Sequence, residues 1–239
     1  MINPAWFAAG GVCSASAIYA WGAAAPSSQL FGPTIRYTGE ASTMALTFDD
    51  GPNPAATPQL LDLLDKHDVR ATFFLIGRHV RACPSLAKEI VERGHVVGNH
   101  TESHPSLALL TSGRIVEELD RCDEAIAAAT SVSSRWMRPP YGYRSPLLGG
   151  IVRDRGKSGV AMWSAMARDW KPQAAERVIQ RLRRARGGDI VLLHDGDHRA
   201  LNGDRRHVVA ALEHWLPRWK DAGTRFVTMK EIKTNLRAA

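Results

Sequence analysis

From Ser42 onward, short apolar runs alternate with amphipathic stretches. Met44–Phe48, Ala71–Ile76, His95–Asn99, Trp136–Arg138, Gly159–Trp163, Asp189–Leu193 and Arg225–Thr228 have the length and side-chain character of strands. Segments of helical periodicity lie between them. The first opens at Thr57-Pro58, with Thr as N-cap and Pro at the first helical position, and Leu60, Leu61, Leu63 and Leu64 mark its apolar face. The pattern predicts further helices over Leu86–Glu92, Arg114–Ala129, Leu147–Arg153, Ala174–Ala185, Asp204–Trp219 and Met229–Leu236, several followed by a glycine. Seven strands alternating with helices predict a parallel sheet. Polar residues follow strands one, three, four, five and six. Gathering from many strand ends favours a closed barrel, because an open sheet concentrates its site near one switch point.

The 239 residues, 44% hydrophobic and 23% charged, suit one α/β barrel. No internal repeat or low-complexity tract divides residues 36–239, which read as a single catalytic domain. The first charged residue is Arg36. Pro4–Ala25 is rich in Ala, Gly, Trp, Phe and Ile and reaches the ~20 residues that span a bilayer. It lacks the basic start of a good signal peptide, although Ala23-Ala24-Ala25 before Pro26 is similar to a cleavage site. Residues 1–35 are therefore expected to be a membrane anchor, an export signal or an arm packed on the domain.

The net charge of +7 favours acidic polymers in general. No long Lys/Arg run and no aromatic–basic interleaving points to nucleic acid, and Arg181, Arg183, Arg184 and Arg186 read as one exposed helix side. The three cysteines, Cys13, Cys83 and Cys122, form no CxxC and no disulfide scaffold. Their spacing leaves a Cys83–Cys122 bridge open.

The chemistry begins at Thr47-Phe48-Asp49-Asp50-Gly51-Pro52. Neighbouring side chains in an extended turn point different ways, so one carboxylate can bind a metal while the other stays free as a base. His100 and His104, four apart after a strand, place two rings on one face of a helix or tight loop. One carboxylate and two imidazoles make the three-ligand set of a catalytic zinc site, with a position left for water. His95, inside a strand, reads as structural. The prolines of Arg138-Pro139-Pro140-Tyr141-Gly142 fix the backbone and suit the Tyr141 N–H to oxyanion donation. Asp169 has Arg138 as a candidate partner, and Trp163 and Trp170 are candidates to line a cleft. His194, at the mouth of the sixth strand, suits a general acid. Each motif alone also has a plainer reading: an acidic helix cap, structural histidines, a structural proline turn.

Taken in order, Thr47–Pro52, His100-Thr101-Glu102-Ser103-His104, Arg138–Gly142, Asp169-Trp170 and Leu192-Leu193-His194 resemble the polysaccharide deacetylases of carbohydrate esterase family 4, over roughly Ser42 to Ile232. The resemblance implies an α/β fold, a distorted (β/α)7 barrel. It implies that Asp50, His100 and His104 hold a divalent metal, usually zinc, with cobalt or nickel accepted in some members. Asp49 would be the base, His194 the acid, and the Tyr141 N–H an oxyanion donor. Arg138 would orient Asp49, and Asp169 would pair near Arg138 or tune His194. Pro140, Tyr141, Trp170 and Leu192 would contact the glycan. Members often carry an Asp three residues before the Asp-Trp pair; here Met166 stands there, which puts one secondary contact near the cleft in doubt.

The implied reaction removes N-acetyl groups from an amino-sugar polymer. Peptidoglycan comes first, because an exported or membrane-anchored protein of the cell envelope meets it first; chitooligosaccharide and acetylated xylan stay open. The other readings are a metal-dependent amidohydrolase acting on a small cyclic amide and an inactive glycan-binding module. The expected partner is a glycan, not nucleic acid, and the expected state a monomer.

Overall fold

Nine strands form one sheet in the computed structural model, which describes residues 16–232. They are β1 (Thr34–Ile35), β2 (Thr43–Gly51), β3 (Thr72–Leu75), β4 (Val96–Asn99), β5 (Trp136–Met137), β6 (Gly159–Ala161), β7 (Ala165–Met166), β8 (Ile190–His194) and β9 (Arg225–Phe226). Their order is β1-β6-β5-β4-β3-β2-β8-β7, with β9 on the start of β2, and each ladder is parallel. The helices are α1 (residues 16–24 as described), α2 (Thr57–Lys66), α3 (Gly77–Ala82), α4 (Pro84–Glu92), α5 (Ser112–Thr130), α6 (Leu148–Asp154), α7 (Ala175–Leu182) and α8 (Arg206–Asp221).

β2 is buried along its whole length and pairs with β3 on one flank and β8 on the other. A strand covered on both faces must be apolar throughout, which is why Met44–Phe48 reads as a continuous run. Phe48 stacks on Phe73 at 4.9 Å, and the apolar faces of α2, α4 and α8 close over them through Leu60, Leu64, Ile90, Val208 and Leu212. Burying each such side chain contributes about 1.5–3 kcal/mol.

The fifth predicted strand, Gly159–Trp163, is in fact split. β6 pairs with β5, whereas β7 pairs with β8 on the far side of the sheet. The intervening residues cross the gap, with the Met162 N–H on Ile35 O and the Ser164 N–H on Ile190 O. The ring is thus closed by the chain itself at a point where its ladder is broken, and the fold is a distorted α/β barrel in a single domain.

Three local expectations change. α2 begins at Thr57 with Ala56 as its cap; the Thr57 hydroxyl accepts the Asn53 N–H and donates to Asp195 instead of capping the helix. The predicted helix from Met229 is a turn over its described part, 229–232, where the Glu231 carboxylate holds Thr228 and the Met229 N–H is on Thr72 Oγ1. The remainder of that helix lies outside the described residues. Cys83 and Cys122 are free thiols, and Cys122 is buried and donates to Leu75 O; Cys13 lies outside the described residues.

The described part of the N-terminal segment, from residue 16, contacts the domain. Arg144 is buried and donates to the carbonyls of Gly22 (2.9 Å), Ala25 (2.7 Å) and Ser28 (2.7 Å), closing the C-terminal end of α1. The Tyr19 hydroxyl reaches Ala108 O, while Ile18, Tyr19 and Trp21 stay exposed. Among the described residues no helix is long and apolar enough to cross a membrane. Residues 4–15 of the expected tether lie outside them.

Candidate active site

The C-terminal ends of the strands converge on one cavity. At the end of β2 the ladder slips between Asp49 and Gly51, and Asp50 takes a left-handed φ of 72°. Such a bulge re-aims successive side chains, so the two carboxylates separate. Thr101, His104, Tyr141 and Arg168 share this left-handed conformation and lie at or beside the same site. The bulge is braced from behind. His79 Nδ1 lies 3.0 Å from Asp50 O, Asn53 donates to Asp195 O and Gly203 O, and Gly196 passes so close to Asp50 O that a methyl there would collide.

Asp50 faces the two histidines. Its Oδ1 lies 3.5 Å from His100 Nε2 and 3.2 Å from His104 Nε2, and one donor atom from each of the three residues falls within 4.8 Å of the others. His100 Nδ1 sits 2.7 Å from Arg138 O. A carbonyl only accepts, so Nδ1 carries a hydrogen and Nε2 is the atom turned to Asp50; burial lowers the His100 pKa, but Asp49 and Asp50 outweigh it and raise it. His104 reaches the same point from a tight loop rather than a helix, its N–H held by Thr101 Oγ1. Burial, then the neighbouring His100, pushes its pKa down to about 2, leaving it neutral as a metal ligand must be. Burial alone would raise the Asp50 carboxyl, but His100, His198 and the other imidazoles hold it well below the usual carboxylate range.

Asp50 Oδ1 is nevertheless buried without a hydrogen-bond partner. An orphaned anionic oxygen between two imidazole nitrogens is costly unless a cation completes it. The donors therefore fit a divalent metal, and one carboxylate with two imidazoles suits zinc, cobalt or nickel.

Asp49 turns the other way. Its Oδ1 accepts from Arg138 at 2.8 Å, and its Oδ2 lies 3.8 Å from His100 Nε2. The Arg138 guanidinium is fully buried, donates also to Thr47 Oγ1, Ala161 O and Met162 O, and lies over the Phe74 ring at 4.3 Å. Removing one partner from a buried pair of this kind costs about 3–5 kcal/mol, so the pair locks Asp49 Oδ1 and leaves Oδ2 to the cavity.

On the opposite flank, Asp169 binds His194 twice: Oδ2 accepts the backbone N–H at 2.7 Å and Oδ1 lies 3.0 Å from Nδ1. Of its two expected roles, Asp169 therefore takes the one beside His194, because Arg138 is already saturated by Asp49. Burial lowers the His194 pKa, but the Asp169 carboxylate outweighs it and raises the value to about 9.

The cavity between these flanks measures about 510 Å³. Tyr141, Trp163, Trp170, Leu192 and Met166 form much of its wall. Met166 pairs with Leu192 across β7 and β8, so the departure from the family pattern adds an apolar patch. Tyr141 stands edge-on to His104 at 4.6 Å, and half-exposed Trp170 edge-on to His194 at 6.2 Å. Pro140, an expected glycan contact, is buried in the turn that carries Tyr141 and does not line this cavity. A larger cavity of about 1000 Å³, bordered by Arg70, His95 and Met229 near the starts of the strands, gathers no comparable set of donors.

Two residues have no role assigned from the sequence, although the loop from His198 to Asp204 stands there as a candidate substrate contact or a flexible connection. Asp195 is buried against Gly51, bonded to Thr57, and burial pushes it up to about 7. His198 stacks on His104. Their only signal was the density of Asp and His in His194–His198 directly after a strand.

The polysaccharide deacetylase family model matches residues 36–159. The chain belongs to the polysaccharide deacetylase family. Among relatives of this deacetylase, a peptidoglycan-N-acetylglucosamine deacetylase of Bacillus cereus is 38% identical over 197 residues, covering 79% of this chain and 87% of its own. A chitooligosaccharide deacetylase of Azorhizobium caulinodans is 36% identical, over 79% and 93%. A solved peptidoglycan N-acetylglucosamine deacetylase superposes with a TM-score of 0.77 at 31% identity, over 83% of this chain and 92% of that one. A family 4 pseudoenzyme from Bacillus anthracis superposes at 0.74 with 31% identity, over 84% and 68%.

Proposed function

We propose that this deacetylase is a metal-dependent hydrolase that removes N-acetyl groups from the glucosamine units of peptidoglycan, with chitooligosaccharide as the nearest alternative. One observation carries the reading: the orphaned Asp50 Oδ1 between His100 and His104, flanked by an arginine-locked aspartate and an aspartate-backed histidine. A divalent cation there, zinc foremost, would polarise the acetyl carbonyl and lower the pKa of water from 15.7 to about 7.

The chain's own groups do the rest. Asp49 Oδ2 takes the proton of the attacking water while Arg138 holds Oδ1 still. The Tyr141 N–H donates to the carbonyl oxygen as negative charge develops on it. His194 gives its proton to the leaving nitrogen, because an amine leaves poorly as an anion. Tyr141, Trp170 and Leu192 hold the sugar. The products are acetate and a free amino sugar. Asp49, Arg138, Tyr141 and His194 in place favour an active enzyme over an inactive glycan-binding module. Residues 36–239 form the catalytic domain, residues 1–35 an appended segment, and the protein works as a monomer. The uncharged leading segment and the peptidoglycan-directed relatives support a place in the cell envelope.

The test is mass spectrometry of a panel of acetylated glycans treated with zinc-loaded protein. Acetate must appear with peptidoglycan or chitooligosaccharide; a panel without acetate release rejects the reading.

A pH effect follows from Asp169. The acid must carry its proton, so activity should fall as pH rises through about 9. Asp169→Asn removes the charge that raises His194, burial then dominates, and the basic limb of kcat should move to lower pH. An unmoved limb would show that Asp169 does not set the acid.

A further inference from the structure

His198 lies in the loop between β8 and α8, and its position is more specific than packing requires. Its backbone carbonyl accepts from the Arg78 guanidinium, which pins the loop over the site. Its ring lies flat on His104, with centroids 4.3 Å apart and planes 15° apart. Its Nε2 is 3.4 Å from the Tyr141 hydroxyl, and its Nδ1 is 3.7 Å from Asp50 Oδ2. With the hydroxyl donating to Nε2, the ring hydrogen sits on Nδ1 and faces that carboxylate oxygen.

The two oxygens of Asp50 are thereby divided. Oδ1, without a partner, lies between His100 and His104; Oδ2 faces His198. His198 itself is outside the set of donors that come within 4.8 Å of one another. A carboxylate whose outer oxygen is engaged by a neighbouring imidazole presents one oxygen to a cation, which keeps coordination positions open for water and substrate.

Building on the metal-site reading above, we propose that His198 is a positioning residue for the metal: its Nδ1 edge faces Asp50 Oδ2 and its ring backs His104, so that the Asp50-His100-His104 set is preorganised for a single ion, whose binding would draw the 3.7 Å contact into a hydrogen bond. The inference assigns His198 no contact with the ion or with the reacting atoms.

The test is zinc affinity of the full chain, measured by competition with a chromophoric chelator. His198→Ala removes both donor and stack, His198→Phe keeps a ring without the donor, and His198→Asn keeps a donor near the Nδ1 position. Alanine and phenylalanine should weaken zinc by roughly 10–100-fold, the usual effect of losing a partner behind a ligand, and asparagine should recover most of it. With saturating cobalt, the absorption bands of His198→Ala should keep their positions. Affinity of His198→Ala within twofold of the parent, full recovery by phenylalanine, or shifted cobalt bands would each overturn the proposal, the last by showing direct ligation. Asp50→Ala serves as the control: if it bound zinc as tightly as the parent, the metal-site reading would fail and this inference with it, whereas normal loss in Asp50→Ala with no effect at His198 sinks the inference alone.

Discussion

Asp50→Ala should lose its divalent metal and, with it, at least about a thousandfold in acetate release. The residue supplies the only carboxylate oxygen in the buried three-donor set, and that oxygen has no other partner. Two imidazoles alone leave a buried cation without a compensating negative charge in direct contact. The fold should survive, because the bulge is held by backbone and neighbouring contacts, including His79 on Asp50 O, that alanine keeps. Metal content by mass spectrometry and the circular dichroism spectrum together separate loss of metal from loss of structure. A variant that keeps one equivalent of zinc would contradict the assignment.

His194→Ala should behave differently. It should keep the metal and lose about 10²–10⁴-fold in kcat, the usual contribution of a positioned acid or base. KM should change little, since in the proposed reaction His194 acts on the leaving nitrogen rather than holding the sugar. Its proton is kept in place by Asp169, which is fully buried and binds both the ring and the backbone of His194. Near-parental kcat in this variant would remove His194 from the role of acid. The contrast between the two variants, one losing metal and the other only turnover, separates binding of the ion from proton transfer.

Much of this architecture was legible along the chain because buried parallel strands and amphipathic helices impose periods that survive in the residue pattern. β2, β3, β4 and β8 were each recognisable as apolar runs, and α5 and α8 as helical ones. β1 and β7 were not: two residues carry no period, and unlike β5 and β9, equally short, neither was marked out as a separate run. α3 was missed because it opens on Gly77 and carries Arg78, His79 and Arg81 in six residues. Residue types also pointed to the candidate metal donors, and the spacing of His100 and His104 placed their rings together. The means was not visible: left-handed Thr101 and His104 fold the loop back, where a helix was equally consistent with the interval. Asp169 had two open partners until Arg138 was seen to be filled by Asp49. His198, Asp195 and the Arg144 clasp on the N-terminal arm depend on which way a loop travels, and no local pattern encodes that direction.

The most direct test of the account is acetate release from an N-acetylglucosamine polymer by protein stripped with a chelator, before and after one equivalent of zinc. The account predicts negligible release from the stripped protein and recovery on adding zinc. Undiminished release after complete removal of metal would contradict it.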